Sequence, residues 1–226
     1  MSGVDRAAPA RRSRLPAEKR RESILHAATE VFAEAGYRTG KVSEVAARVG
    51  VSEPVIFQNF GSKAALYAAV LDRVAGQVRT ELRALAGQHG SALDLLAHVL
   101  SPHLGIQPQD AGSHRGALFA DAATLAADPA LGEPARQVAA ALAGHLADLL
   151  RQGQADGTIR ADADPEAGAW LLLSVLVSRP FRTAAMPGRD RCESGVAALA
   201  LEALMPSAGS APASAVHGDH RHARHT

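Results

Sequence analysis

The apolar residues of this chain recur at the spacing of α-helices, and the pattern predicts an all-α protein of about nine helices. The first predicted helix begins near Pro16, carries an apolar stripe on one face and stops at Gly36. The fourth follows an N-cap at Ser62 and covers Lys63–Ala86, which would make it roughly 36 Å long. A helix of that length can connect an N-terminal head to a separate core.

Two short helices are predicted between these two, separated by about three residues. The first ends at Gly50, because a helix C-terminus favours a residue that tolerates positive φ. Ser52 stands where an N-cap oxygen would accept a free backbone N–H, and Pro54 falls in the first turn of the next helix. This arrangement is typical of a helix-turn-helix, whose second helix enters the major groove of DNA. Packing through Val55, Ile56 and Phe60 would leave Glu53, Gln58 and Asn59 as the polar side chains nearest to base edges.

Five further helices are predicted in the remaining chain, beginning near Ser91, Gly116, Pro134, Pro165 and Arg189. Pro180 must kink or end the helix that begins at Pro165, because a proline inside a helix costs about 3 kcal/mol. The pattern divides the chain into a basic arm (1–15), a helix-turn-helix domain (16–62), a helical core (63–205) and a histidine-rich tail (206–226).

The composition excludes several classes of protein. The 226 residues carry 24 Lys and Arg against 23 Asp and Glu, yet residues 1–64 hold 11 basic and 7 acidic residues, so the basic end contains the helix-turn-helix. The single Cys192 excludes an internal disulfide and a cysteine-based zinc site. The apolar run Ala167–Val177 is too short to span a bilayer, and no apolar signal segment follows the N-terminal arginines, so we expect a cytoplasmic protein without membrane contact.

Three stretches together resemble the TetR family of bacterial one-component repressors: ILHAATEVFAEAGY (Ile24–Tyr37), the helix-turn-helix, and F-x-S-K from Phe60 to Lys63. The resemblance covers residues 20–75 well. It implies a repressor that binds a palindromic operator in double-stranded DNA and is released by a small-molecule effector. The residues assigned to DNA binding are Lys41, Arg48, Ser52, Glu53, Pro54, Phe57, Gln58, Asn59 and Lys63.

Two positions depart from the family pattern. Lys41 stands where the family usually has Ser or Thr before its second helix, so that N-cap must be supplied by Gly40, water or a frayed turn. Phe57 stands where the family prefers a tyrosine whose hydroxyl meets a phosphate. Because one neutral hydrogen bond contributes only about 0.5–1.5 kcal/mol, binding need not be lost, and phosphate contact would shift towards Lys63, Arg48 and Lys41.

The resemblance also assigns ligand binding and dimerisation to residues 63–205. It implies a cavity for a small, partly apolar molecule and a homodimer formed by the last two long helices, Pro165–Ser178 and Arg189–Leu204. The candidate pocket residues are His103, Phe119, Trp170, Ser174 and Phe181. For Trp170 the alternative is packing in the core or in the dimer interface.

Two alternatives to a ligand-released repressor follow from the sequence. An α-helical enzyme is disfavoured, because no nucleophile elbow, P-loop, H-E-x-x-H or dinucleotide motif occurs, and no cofactor is predicted. An architectural DNA-binding protein would need no cavity and would show low sequence specificity. The arm at 1–15 could follow phosphates or be a solvated tail. The four histidines of the tail permit a flexible metal chelate, but we interpret the tail as disordered and predict no metal site.

Overall fold

The computed structural model describes residues 16–101, 111–186 and 189–206, and these ranges contain ten α-helices, which confirms the all-α fold. The helices are α1 (Ala17–Thr39), α2 (Val42–Val49), α3 (Glu53–Phe60), α4 (Lys63–Ala86), α5 (Ala92–Leu100), α6 (Ala111–Thr124), α7 (Gly132–Asp156), α8 (Pro165–Val177), α9 (Arg179–Ala185) and α10 (Arg189–Glu202). Within the same ranges no helix is long and apolar enough to cross a membrane. The basic arm and the four histidines of the tail lie outside the described residues.

Local capping signals position the N-terminal helices where the sequence predicts them. Gly50 ends α2 in the left-handed conformation, with φ 73°. The Ser62 hydroxyl accepts the N–H of Ala65 at 3.0 Å, and α4 then covers the predicted range Lys63–Ala86. Gly36 breaks α1 with φ 72°, but one further helical turn follows and ends at Thr39. The break at Gly36 is therefore confirmed, and the end of α1 lies three residues later than predicted.

Pro180 starts a tenth helix, which the prediction of about nine helices lacked. α8 ends at Val177, and the chain continues through Ser178 into α9, which has Pro180 in its first turn. The missing N–H of a proline costs no hydrogen bond in a first turn, and its fixed φ suits the start of a helix. The same residue thus ends one helix and begins the next.

The helix α6 begins and ends earlier than the region 116–127 predicted for it. Gly116 lies inside this helix rather than at its start. After α6, the Asp128 carboxylate accepts the N–H groups of Ala130 and Leu131 at 2.9 and 3.1 Å and turns the chain into α7. These two hydrogen bonds hold the turn between α6 and α7.

A first hydrophobic core joins the helix-turn-helix to α6. Its buried residues come from α1, α2, α3 and α4, and include Phe32, Ile56 and Tyr67. Leu118 and Leu125 on and just after α6 are fully buried in the same cluster. The core of the helix-turn-helix therefore continues across residue 62 into the C-terminal helices.

A second core is formed by α5, α7, α8 and α10. Its residues are mainly leucine and alanine, and Ala75 and Val78 of α4 pack against it from one side. α7 and α8 approach closely at Gly168, where a Cβ atom would lie 2.7 Å from the Leu150 Cδ1. Since α4 contributes to both cores, it connects the helix-turn-helix to the rest of the chain, as its length predicts.

A buried cluster of charges ties the C-terminal helices together. The Glu193 carboxylate accepts hydrogen bonds from the Arg182 Nε and Nη2 at 2.6 and 3.0 Å, and the Arg179 Nε lies 3.6 Å from it. Arg179 also donates to the Leu100 carbonyl at 2.8 Å, and Arg182 to the Val175 carbonyl at 2.9 Å. The hydrogen bond from Arg182 lowers the pKa of Glu193, whereas burial lowers the pKa of Arg179. The cluster links the end of α5 to α8, α9 and α10.

Candidate nucleic-acid interface

The helix α3 presents one exposed face and one buried face. Ile56 and Phe60 are buried in the first core and fix α3 against α1 and α4. The exposed face carries five of the residues predicted to bind DNA, which are Ser52, Glu53, Pro54, Phe57 and Gln58. Phe57 keeps 40% of its surface exposed. An exposed helix face of this kind can enter a major groove.

The two N-caps of the helix-turn-helix make no side-chain hydrogen bond. Ser52 has the extended backbone of an N-cap residue (φ −87°, ψ 155°), as predicted, but its hydroxyl accepts no backbone N–H of α3. That part of the prediction for Ser52 is wrong, and the residue is exposed. Lys41 caps α2 only through its backbone, since its carbonyl accepts the N–H of Glu44 at 3.1 Å. An N-terminus with uncapped N–H groups is a favourable site for a phosphate oxygen.

Asn59 is only half-exposed and is bound to its own helix. Its Nδ2 donates to the Val55 carbonyl at 2.7 Å, and its backbone carbonyl accepts a hydrogen bond from Arg21 at 2.8 Å. The Arg21 guanidinium in turn lies 4.1 Å from the centre of the Phe60 ring. A base contact from Asn59 would therefore use its free oxygen or break the bond to Val55.

Arg48 is occupied by two carboxylates of α1. Its guanidinium lies 2.6 Å from the Glu34 Oε2 and 3.1 Å from the Glu30 Oε2. The hydrogen bond between the two side chains lowers the pKa of Glu34 and raises the pKa of Arg48. Exposed pairs of this kind contribute about 0–1 kcal/mol. The phosphate contact predicted for Arg48 stays a prediction, and it would require these ion pairs to open.

Lys63 lies at the N-terminus of α4, against the end of α1. Its Nζ donates to the Arg38 carbonyl at 3.2 Å and lies 4.8 Å from the centre of the Tyr37 ring. Burial lowers the pKa of Lys63. The ammonium group is thus held in one place beside the helix-turn-helix, which suits a phosphate contact.

The family model described as "Bacterial regulatory proteins, tetR family" matches residues 24–70, from α1 to the first third of α4. This range contains the whole helix-turn-helix and the buried face of α3. Residues 24–70 are thus a TetR-family segment. The resemblance found from the sequence motifs is thereby confirmed, and the regulators of this family are transcription factors rather than enzymes.

Similar proteins extend this result to the fold. The HTH-type transcriptional activator FasR of Mycolicibacterium smegmatis is 51% identical over 63 residues, which are 28% of this chain and 29% of FasR. The fatty acid metabolism regulator protein of Bacillus subtilis is 26% identical over 141 residues, covering 62% of this chain and 71% of that protein. A solved TetR-family regulator from Agrobacterium tumefaciens has a TM-score of 0.70 at 18% identity, covering 83% of this chain and 98% of that one. FadR, the fatty acid degradation regulator of Bacillus halodurans, has a TM-score of 0.63 at 20% identity, covering 81% and 98%.

The shared length differs between these comparisons. The chain spans less than a third of the length of FasR, and the shared part of FasR is short. The two solved structures match almost their entire length and show that the C-terminal helices have the TetR-family fold.

The predicted pocket residues do not share one environment. Phe119 on α6 is half-buried and packs against both hydrophobic cores. Trp170 is 48% exposed, Phe181 is 73% exposed, and the exposed Ser174 donates to the Trp170 carbonyl at 2.6 Å. His103 lies outside the described residues. Trp170 and Phe181 are therefore more exposed than the half-buried Phe119, and the role of these residues in a pocket stays a prediction.

One polar contact of this TetR-family fold was missed from the sequence. The Asp121 Oδ2 on α6 accepts the backbone N–H of Tyr37 at 2.8 Å and the hydroxyl of Tyr67 at 2.6 Å. Burial raises the pKa of Tyr67, and the hydrogen bond to Asp121 raises it further. In the sequence, Asp121 stands between two buried residues, Leu118 of α6 and Leu125 just after it. A carboxylate within an apolar stripe was the available signal, but its partners are 84 and 54 residues away.

Proposed function

We propose that this protein is a DNA-binding transcriptional regulator whose helix α3 reads an operator in the major groove. The observation that carries the proposal is the two-sided character of α3. Ile56 and Phe60 hold the helix in the first core, while Glu53, Phe57 and Gln58 remain exposed beside the N-terminus of α4. Side chains on such a face reach base edges, and phosphates on either side meet basic groups such as Lys63 and Lys41.

We further propose that the protein works as a homodimer on a palindromic site. In the described residues, five of the six exposed large apolar side chains lie in the helices α8 to α10 or just after them, and they are Trp170, Leu171, Phe181, Leu199 and Met205. An apolar surface of this kind supports association with a second copy. A two-fold dimer would place two α3 helices at the spacing of successive major grooves, about 34–36 Å.

Selection of DNA tests this proposal directly. The purified protein would be mixed with a random duplex library at physiological salt, and the bound DNA would be sequenced over several rounds. A regulator should enrich a palindromic sequence and bind it about a thousandfold or more above random DNA. The architectural alternative predicts bound DNA without a consensus, and such an outcome would replace the regulator by a sequence-independent binder.

The effector that we propose is an apolar molecule of the fatty-acid class. Two similar proteins are named as regulators of fatty acid metabolism and of fatty acid degradation. The second core of this chain is built from leucine and alanine, and Phe119 stands where the two cores meet. An effector bound there would act on α4 and α6, which both contact the helix-turn-helix core. Similar proteins include an activator and a repressor, and we propose that this protein is a repressor that the effector releases from its operator.

A fatty acid that acts as effector should raise the melting temperature of the free protein and should weaken DNA binding. A hundredfold release corresponds to a coupling free energy of about 2.7 kcal/mol, and reciprocity requires DNA to weaken the fatty acid by the same factor. Saturated acids of increasing chain length would be titrated into free protein and into protein saturated with selected DNA. Equal affinities in the two titrations would rule out an inducer role.

Gln58→Ala should cost about 1–3 kcal/mol on the selected operator and little on random DNA. The Gln58 side chain is exposed in the middle of α3, where an amide can donate to and accept from one base edge. Binding would be measured by fluorescence anisotropy on both DNAs at one salt concentration. Equal losses on the two DNAs would assign Gln58 to the phosphate backbone instead.

Lys63→Ala should weaken binding to all DNA sequences alike. Loss of one phosphate contact should flatten the slope of log affinity against log salt by about one unit. The matched control is Arg83→Ala, which removes the same charge from the exposed last turn of α4, roughly 30 Å away along the helix. The control should leave the salt slope unchanged. A similar change of slope in both variants would show that the effect comes from net charge and not from the position of Lys63.

A further inference from the structure

We propose that Asp121 is a positioning residue, through which α6 holds the helix-turn-helix in the orientation that binds DNA. This inference rests on the proposed function and adds the contact that connects the C-terminal helices to the DNA-binding residues. It assigns a role to a carboxylate that no motif of the family model includes, since that model ends at residue 70.

The carboxylate joins three helices through a single oxygen. The Asp121 Oδ2 accepts the backbone N–H of Tyr37, at the end of α1, and the hydroxyl of Tyr67, on α4. Tyr67 is fully buried, and its ring contacts Phe32 edge-on at 5.2 Å and Tyr37 at 5.1 Å. Hydrogen bonds to an ionised acceptor are about twice as strong as neutral ones, so the three helices are held at this point by a short, directional contact.

The break in α1 allows this contact. Gly36 has φ 72°, and a Cβ atom there would lie 2.9 Å from the Asp121 Oδ1. The backbone of α1 therefore approaches the carboxylate without an intervening side chain. Any other residue at position 36 would face both the left-handed conformation and this close contact. The position of the turn after Gly36 thus depends directly on the position of α6.

The same turn carries the group predicted to bind phosphate. The Lys63 ammonium lies over the Tyr37 ring and donates to the Arg38 carbonyl. Because the backbone N–H of Tyr37 is bound to Asp121, a shift of Asp121 would move Tyr37 with it. Lys63 would then lose its contact with the Tyr37 ring. Tyr67 would move as well, and it lies one helical turn after Lys63 on α4.

On its other side, α6 is bound to the C-terminal core. Arg115 of α6 forms an ion pair with Glu81 near the end of α4, and Phe119 packs against both hydrophobic cores. The Pro180 ring of α9 lies close to Gly116, since a Cβ atom on that glycine would be 3.6 Å from it. A rearrangement among the C-terminal helices would therefore reach Asp121 through α6.

The charge of Asp121 gives the inference a sharp test. Asp121→Ala removes a negative charge, and on electrostatic grounds alone this should strengthen the attraction to DNA. If Asp121 positions the helix-turn-helix, the variant should instead bind the selected operator about tenfold more weakly, the factor that corresponds to one charge-assisted hydrogen bond. The matched control is Asp72→Ala, which removes the same charge from an exposed site on α4 and should not weaken binding.

Two further variants separate geometry from charge. Asp121→Asn keeps an oxygen that can accept both hydrogen bonds and should bind the operator within about threefold of the wild type. Gly36→Ala should weaken operator binding like Asp121→Ala, because its methyl group displaces the carboxylate. In the double variant, the fold-loss of operator affinity should be smaller than the product of the two single fold-losses, since both substitutions act on one contact.

Amide hydrogen exchange provides the structural readout. In Asp121→Ala the N–H of Tyr37 should exchange faster, while amides of the second core keep their protection. Faster exchange at Tyr37 with unchanged operator affinity would overturn the inference, because the contact would then stabilise the fold without positioning the DNA-binding residues. Weaker binding in Asp72→Ala equal to that in Asp121→Ala would also overturn it. A wild-type protein that selects no DNA sequence would instead overturn the proposed function, and the inference with it.

Discussion

Leu199→Glu should leave the protein monomeric at micromolar concentration and should weaken its binding to the selected operator by about a hundredfold or more. Leu199 is 68% exposed in the single chain and lies on α10, beside the exposed side chains that we assign to the dimer surface. A carboxylate at this position would be buried without a partner on association, which costs several kcal/mol. Sedimentation equilibrium and operator titration on the same samples measure the two effects.

The control for this variant is Gln88→Glu, which adds the same charge in the exposed turn after α4. The control should remain a dimer and should bind the operator nearly as the wild type does. A Leu199→Glu protein that stays dimeric would place the interface elsewhere. A monomeric variant that retains tight operator binding would show that one copy of α3 suffices, which is contrary to the proposed palindromic site.

Glu193→Ala should lower the free energy of unfolding by about 3–5 kcal/mol, the largest change in stability that we expect from a single substitution here. The Glu193 side chain is 7% exposed and offsets two partly buried guanidinium groups, those of Arg179 and Arg182. Its removal would leave both positive charges in the interior without their carboxylate. Chemical denaturation at pH 7 would measure the loss. The control Glu166→Ala removes a carboxylate from the exposed ion pair with Arg151 and should change the stability only slightly.

The same cluster makes a prediction for acid. Arg182 lowers the pKa of Glu193 below the ordinary value of 4.5 in the folded protein. A lowered folded pKa means that the contribution to stability is complete above pH 4.5 and is lost as the pH falls through the folded pKa. Glu193→Gln cannot titrate, so the free energy of unfolding should fall less steeply below pH 4.5 in this variant than in the wild type. Parallel profiles would show that other carboxylates control the acid transition.

The features predicted correctly from the sequence are those that depend on neighbouring residues. Gly50, Ser62 and Ser91 mark helix ends through contacts within about four residues, and all three occupy the predicted places. The bounds of α4 and the buried face of α3 follow from apolar spacing in the same way. Ser52 shows the limit of such reasoning, since the residue takes the N-cap position and still makes no cap bond.

The features that the sequence could not provide involve residues far apart in the chain. The bonds from Tyr37 to Asp121 and from Arg179 to Leu100 join residues separated by 84 and 79 positions, and no local pattern specifies such pairs. Trp170 shows a second limit. Its helical spacing indicates an apolar face of α8, but spacing does not tell an internal core from a surface that meets another chain.

The shared core between the helix-turn-helix and α6 bears on how regulators of this kind can be recombined. A chimera that joins residues 1–62 of this chain to the effector-responsive half of a relative would separate Phe32 and Ile24 from Leu118 and Leu125, which are buried in the same cluster. It would also remove the acceptor for the Tyr37 N–H. A chimera should therefore take the inward face of α6 together with the helix-turn-helix. A chimera cut at the apparent boundary before α4 would change the DNA specificity but would also lose the packing between these two parts.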